Sequence, residues 1–351
     1  MKRVILSAFN VHVGGGLVLL KSLILSKYIK INILDLRVKK KIKDLKLLNA
    51  LYIKRKIFSR LFWFHLVSWK SKKNDVILCF NGLPPIFKVK AKVIIFIQTF
   101  YFFGDVKKFG FNKFTYLRII FEKIWFYLGV KNVDEFWVQT ITMKNRLIKK
   151  LKDLKIYKYK INVMPLLDEQ SLNYFNNSKK IIFRKKNKQN FIYPADYAAH
   201  KNHLRLMKAF DKVNMNFKLY LTLPKKDFNH LLEASNISTS TRKKILNLGF
   251  LSRDKVLKIY QTKIGTLIFP SADESFGIPI IEAYMFKKNI LISNKPYAKD
   301  LVSDVIFFDP FSVNSIRNAI INFLNSDKIL KTKFKKIKFA NSYKFITKTF
   351  N

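Results

Sequence analysis

Short apolar runs alternate along the chain with stretches whose apolar positions recur at three- and four-residue spacing. The runs predict strands at Lys2–Phe9, Ile31–Leu36, Asp75–Phe80, Val93–Gln98, Glu135–Gln139 and Ile161–Pro165. The longer periodicity predicts helices at Leu17–Tyr28, Asn112–Leu128 and Met143–Leu151. A polar, lysine-rich segment, Gln170–Gln189 with Asn176-Asn177-Ser178 inside it, reads as a linker. A second series follows. Its predicted strands are Asn190–Tyr193, Phe217–Leu223, Ile245–Leu248, Gly265–Phe269, Asn289–Ser293 and Val305–Phe308. Its predicted helices are Asn202–Val213, Asp227–Ala234, Asp254–Gln261 and Ser312–Leu324, and the basic stretch Leu330–Thr349 reads as a last helix. Strands alternating with helices imply an α/β chain with parallel, doubly wound sheets, here as two Rossmann-like halves.

Composition narrows the class. A chain of 351 residues is long enough for two cores, and 49% hydrophobic content makes it globular. Its single cysteine, Cys79, lies in an apolar run and reads as core; no disulfide framework is available, which suits a reducing compartment. No uncharged apolar run reaches spanning length, and Met1–Phe9 is a strand pattern too short for a signal peptide. The net charge of +46 favours polyanions or an anionic membrane face. A nucleic-acid-binding protein is the rival reading. No zinc-finger, RNA-recognition or basic-zipper pattern is present and the lysines run through the whole chain, so no nucleic-acid partner is expected. A compositionally biased genome would give the same lysine, isoleucine and asparagine excess.

The chemistry concentrates in Ser271–Glu282, read Ser-Ala-Asp-Glu-Ser-Phe-Gly-Ile-Pro-Ile-Ile-Glu. An apolar run feeds into it and a helical pattern, Pro279–Lys287, leaves it. Strand, loop and helix start make an anion site from backbone N–H groups. Pro279 suits the first helical turn and Gly277 permits close backbone approach. Two carboxylates, Glu274 and Glu282, beside such a site would suit sugar hydroxyls. A buried turn with two solvated carboxylates is the plain structural alternative. A second glycine turn, Asn10-Val11-His12-Val13-Gly14-Gly15-Gly16, follows the first strand; it fits neither Gly-x-Gly-x-x-Gly nor a Walker loop. No Asp-x-Asp occurs and no His/Cys cluster has ligand spacing, so no metal or other cofactor is expected.

Glu274, seven residues and Glu282, with Phe276-Gly277-Ile278-Pro279 between them, resemble the signature of glycosyltransferase family 4, the retaining GT-B enzymes. The resemblance is strong over Asn190–Leu324 and looser over Met1–Asn173. It implies a GT-B fold: an acceptor-binding Rossmann-like domain at 1–173, a nucleotide-sugar-binding one at 190–329, a cleft between them, and a final helix in 330–351 crossing back. It implies that Glu282 bonds the ribose hydroxyls, and that Glu274 bonds the donor sugar or sits beside its anomeric carbon. Ser275 and the amides of Phe276, Gly277 and Ile278 would hold sugar or phosphate. Lys201, in His200-Lys201-Asn202, matches the family's diphosphate-binding lysine. The arginine that many members carry just before it is missing from Ala195-Asp196-Tyr197. Gly15 and Gly16 fall at the family's glycine turn, Gln98 where a histidine is common, and Phe250, after Gly249, beside the nucleotide base.

The implied function is a retaining glycosyltransferase of hexosyltransferase type. It moves a sugar from a nucleotide-sugar to a glycan acceptor, polyprenyl-diphosphate-linked, in bacterial lipopolysaccharide, O-antigen or capsule biosynthesis. A GT-B epimerase or phosphorylase is the alternative. The expected location is cytoplasmic, peripheral on the inner face of the inner membrane. Lys39–Lys73 mixes basic clusters with Leu61-Phe62-Trp63-Phe64 and Trp69; it reads equally as a membrane-docking helix or as an ordinary surface helix with a solvated lysine face.

Overall fold

The two most apolar runs of the first half, Asp75–Cys79 and Lys92–Ile97, lie side by side in the middle of a seven-stranded parallel sheet. Strands buried on both faces need no alternation, which is why they read as continuous apolar runs. The computed structural model describes residues 3–43, 45, 47, 49–104, 106–177, 188–326, 330 and 332–350. The sheet contains β1 (Arg3–Ala8), β2 (Ile29–Asp35), β3 (Ala50–Ile53), β4 (Asp75–Cys79), β5 (Lys92–Ile97), β6 (Glu135–Val138) and β7 (Lys160–Val163), in the order β3-β2-β1-β4-β5-β6-β7. Charges fix its register at the N-terminal edge. Arg3 stands opposite Asp75 and donates to it at 2.6 Å. Glu135 on β6 takes Lys92 from β5 at 2.9 Å and Lys160 from β7 at 2.7 Å.

The helices α1 (Gly14–Leu23), α2 (Ile57–Trp69), α3 (Lys113–Gly129) and α4 (Ile141–Asp153) complete this part, and α5 (Glu169–Asn177) follows them in the chain. Phe64 of α2, Trp125 and Phe126 of α3, and Met143 and Leu147 of α4 share one core with Val93, Ile95 and Ile97. Side chains alternate along β5, so Phe96 faces the other way. There it meets Phe345, centroids 4.8 Å apart, from the end of the chain.

The second sheet is six-stranded and parallel: β8 (Asn190–Tyr193), β9 (Lys218–Leu221), β10 (Ile245–Asn247), β11 (Thr266–Phe269), β12 (Asn289–Ser293) and β14 (Ile306–Phe308), ordered β10-β9-β8-β11-β12-β14. A small antiparallel pair joins β13 (Val302–Ser303) to β15 (Lys333–Phe334). The helices are α6 (His203–Asp211), α7 (Lys225–Ser235), α8 (Thr239–Lys244), α9 (Arg253–Thr262), α10 (Ile278–Met285), α11 (Pro296–Leu301), α12 (Val313–Asn325) and, at the end of the chain, α13 (Ser342–Thr347).

The chain forms two compact units, Met1–Leu172 with Lys338–Asn351, and Asn173–Ile337. Three expectations need correction. The predicted linker begins as helix α5, because Asp168 accepts from the Ser171 amide at 3.1 Å, and Tyr174 and Phe175 pack on Phe286 and Tyr284. Its remainder, 178–187, lies outside the described residues. Leu330–Thr349 is not one helix: Lys333–Phe334 is a strand and only α13 is α-helical, since the backbone of this stretch pairs with Leu301 and Pro165. Lys39–Lys73 is likewise divided. Leu36–Lys41 is a 3-10 turn, Ala50–Ile53 pairs with β2, and only Ile57–Trp69 is an α-helix. Among the described residues, no helix is long and apolar enough to cross a membrane.

Candidate active site

In the second unit the strand order reverses between β8 and β11, and the crevice beyond the C-terminal ends of such a pair is where doubly wound sheets bind ligands. Lys201 follows β8 and Glu274 follows β11. The Lys201 Nζ donates to Glu274 Oε1 at 2.6 Å, both side chains being almost wholly shielded from solvent. Burial alone would depress the ammonium's pKa; the carboxylates of Glu274 and then Asp196 more than offset it, so Lys201 is raised and stays charged.

The two loops are tied together by the buried polar groups around this pair. The Tyr193 hydroxyl bonds the Lys201 carbonyl and the Ser271 Oγ, each at 2.8 Å. The Tyr297 hydroxyl donates to the Ser271 carbonyl at 2.8 Å, and the Ala272 amide to the His200 carbonyl at 2.8 Å. Asn202, left-handed at φ 62°, donates its amide group to the carbonyls of Pro270 and Pro310. Burial pushes the Tyr193 and Tyr297 hydroxyls well above the usual phenol range, and the Glu274 charge adds to it.

Helix α10 starts directly after the loop. Gly277 caps it at φ 101°, and an added Cβ there would fall 2.7 Å from Ile280 Cδ1. Pro279 occupies the first turn. Ser275 and Phe276 lie in the loop and Ile278 opens the helix, so the amides of its first turn face away from the helical ladder. Glu282 is buried, and its Oε1 accepts from Arg253 Nε at 3.1 Å. Sequence reasoning missed Arg253. The signal was there: a cation in the first turn of a helix opposes the helix dipole and needs another partner. Phe250 is 70% exposed beside Gly249, so it is not core.

In the first unit the order reverses between β1 and β4. Gly15 and Gly16 form the first turn of α1. A Cβ on Gly16 would come 3.3 Å from Gln98 Oε1, and the Gln98 amide nitrogen donates to the Phe80 carbonyl at 2.6 Å. Gln98 thus lies against the glycine turn. His12 lies in the same turn, its Nδ1 3.2 Å from the Asn10 carbonyl; desolvation lowers its pKa. Among the described residues, no group of three or more His, Cys, Asp or Glu side chains is placed to hold a metal ion.

Residues 175–339 match the family model described as glycosyl transferases group 1. The likeness to that family lies almost wholly in the second unit. The chain is 26% identical over 160 residues to the O-antigen chain mannosyltransferase RfbU of Salmonella typhimurium, a match covering 44% of this chain and 45% of that protein. The chain therefore aligns with under half the length of that relative. Among solved structures it is similar to Anabaena Alr3699/HepE in complex with UDP and glucose, with TM-score 0.66, 13% identity, and 94% and 91% of the two chains covered. It is also similar to the lipopolysaccharide outer core galactosyltransferase WaaB, with TM-score 0.56, 12% identity, and 93% and 92% covered. At such identities the likeness speaks to fold, and the fold is GT-B: two Rossmann-like α/β units with parallel sheets.

One property of the second unit follows from its buried imidazoles. His203 lies tilted against Tyr193, centroids 4.6 Å apart, and burial pulls its pKa down to about 3. His200 is lowered too, again by burial first. An unfolded histidine titrates near 6.5, so below that pH the unfolded chain binds protons that the folded chain refuses. Stability contributed by neutral His203 is complete above pH 6.5 and is lost as pH falls toward 3. Melting curves between pH 7.5 and 4.5 should show a steep acid slope. His203→Phe should reduce that slope by up to about 1.4 kcal/mol per pH unit; an unchanged slope would clear His203 of responsibility.

Proposed function

We propose that the protein is a retaining glycosyltransferase that moves a hexose from a nucleotide-sugar to a glycan carried on a polyprenyl diphosphate. The setting is the assembly of O-antigen, lipopolysaccharide or capsule at the cytoplasmic face of a bacterial inner membrane. The observation that carries this reading is the Lys201–Glu274 pair at the strand reversal, beside the start of α10. The match of residues 175–339 to the glycosyl transferases group 1 model and the printed functions of RfbU and WaaB support it.

In this reading the Lys201 ammonium and the amides of Phe276, Gly277 and Ile278 hold the donor diphosphate. Glu274 bonds the donor sugar hydroxyls, Ser275 lines the same pocket, and Glu282 bonds the ribose with Phe250 beside the base. Gly15, Gly16 and Gln98, which lie together in the first unit, are assigned to donor binding. The bond from anomeric carbon to phosphate oxygen breaks, and its electrons stay on the leaving diphosphate. The acceptor hydroxyl forms the new bond on the same face, and its proton passes to a leaving phosphate oxygen. The charge growing on that oxygen is met by a fixed ammonium and oriented amides, a preorganised electrostatic site.

Such a site calls for no metal, so transfer should persist in excess EDTA. The experiment is a thermal-shift panel of UDP-, GDP- and ADP-sugars, followed by transfer to a polyprenyl-diphosphate-linked glycan with the product anomer read by NMR. Retained configuration and EDTA resistance are expected. Epimerised donor, or phosphorolysis without an acceptor, would favour another GT-B activity. Loss of transfer in EDTA, restored by magnesium or manganese, would overturn the metal-free mechanism.

A further inference from the structure

A surface helix normally turns its polar side outward. Helix α3 does not. Its inner side buries Ile119, Trp125 and Phe126, yet its outer side exposes Phe114 (86%), Leu117, Ile124 and Leu128. With half-buried Phe121 these positions recur at three- and four-residue intervals and form one stripe along the helix. Helix α2 lies next to it, because Trp125 packs on Phe64 and His65. Its own outer side shows Phe58 (85%), Phe62 and Trp69 (74%). Exposed Phe87 joins them, its ring 5.8 Å from His65. Phe64, expected among the docking aromatics, belongs to the core instead.

The stripe on α3 runs about 20 Å at the helical rise per residue. Exposed apolar side chains gathered on two neighbouring helices are what marks a contact surface on a monomer, where single scattered ones do not. The flanking charges are of one sign. Exposed Lys56, Lys70, Lys88 and Lys113 stand next to Ile57, Trp69, Phe87 and Phe114 in sequence. Glu122 is the single acidic residue of the two helices; it is largely shielded and accepts from Asn10 at 2.7 Å. Two copies of this face would bring like charges together, whereas an anionic lipid leaflet complements the cations and accepts aromatic and aliphatic side chains at shallow depth.

We propose that the outer faces of α2 and α3 form one docking surface for an anionic lipid leaflet, with the α3 stripe inserting between the lipids. The proposal rests on the reading that the chain works at a membrane, and it specifies the surface. It moves the contact away from Lys39–Ile53, whose Ala50–Ile53 is an edge strand. It also gives the surface a use. Both helices follow parallel strands, so they begin at the sheet edge that carries the glycine turn and Gln98. The Asn10–Glu122 bond ties that turn to α3. An acceptor anchored in the leaflet would present its glycan at this edge.

The test is flotation of the full chain with vesicles of phosphatidylcholine and phosphatidylglycerol, against pure phosphatidylcholine. One variant carries Phe114→Gln, Leu117→Gln, Ile124→Gln and Leu128→Gln; a control carries Gln at the exposed Lys225, Lys226, Lys243 and Lys255 of the other unit. The wild type should bind anionic vesicles at least tenfold better than neutral ones. The α3 variant should lose at least fivefold in partitioning and the control less than twofold, with melting temperature and donor-induced thermal shift kept. Wild-type binding that survives the α3 changes would overturn the proposal and leave the membrane reading standing. Absence of binding to any vesicle would overturn both. A wild-type dimer in sedimentation that the α3 variant dissolves would make a second copy the occupant. Donor hydrolysis, followed in parallel without lipid, keeps the transferase reading separate from all three outcomes.

Discussion

Lys201→Ala should lower kcat for transfer by about 10²–10³-fold while leaving donor binding far less affected. The reason is timing. The diphosphate gains negative charge as the anomeric bond breaks, so a cation beside it contributes most at the transition state. Lys201 is suited to this because it is held, not because it is charged; the chain has 68 lysines and arginines. Its Nζ is fixed by Glu274 at 2.6 Å and its carbonyl by the Tyr193 hydroxyl at 2.8 Å. Removing it also leaves Glu274 buried without its cation, which by itself destabilises the loop. The double variant Lys201→Ala/Glu274→Gln separates the two effects: it should recover melting temperature and not rate. Steady-state rates at saturating donor, with circular dichroism as the folding check, decide the matter. A kcat within threefold of wild type would remove Lys201 from the chemistry.

Glu282→Ala should weaken donor binding by about 1.5–3 kcal/mol, the range for hydrogen bonds to a charged group. That is roughly a ten- to hundredfold rise in Kd by calorimetry. The pairing with Arg253 changes what else to expect. In the structure the substitution takes a carboxylate partner from a guanidinium that is itself largely shielded, so the melting temperature should fall as well. Arg253→Ala should do the same in reverse, and a double-mutant cycle over the pair should show strong coupling. Glu282→Gln keeps the shape and loses the charge; wild-type nucleotide affinity in that variant would sink the ribose assignment.

The features legible in the sequence were local ones. Buried parallel strands are continuous apolar runs, so β4, β5, β8 and β11 could be read directly. The Ser271–Glu282 stretch was legible because loop, capping glycine, Pro279 and both glutamates are contiguous. The Arg253–Glu282 pair joins residues 29 apart on different helices, and no periodicity announces it. Helix α5 was hidden by its polar composition, since its stability comes from Tyr174 and Phe175 meeting partners far along the chain. Strand β3 was hidden because an edge strand of four residues is too short to stand out from the basic stretch around it. The outer stripe of α3 was present in the sequence as spacing, but only burial distinguishes an exposed apolar side from a packed one.

The return of Lys338–Asn351 to the first unit has a consequence for how the protein is made. Phe345 fills a slot between Phe96 and Trp137, so the core begun by the first strands is finished by a residue translated after the whole second unit. The second unit is continuous in sequence and needs nothing from beyond Ile337. On the ribosome the natural order is therefore inverted. The unit translated later can close first, while the earlier one waits, its seat for Phe345 open, until that residue has emerged.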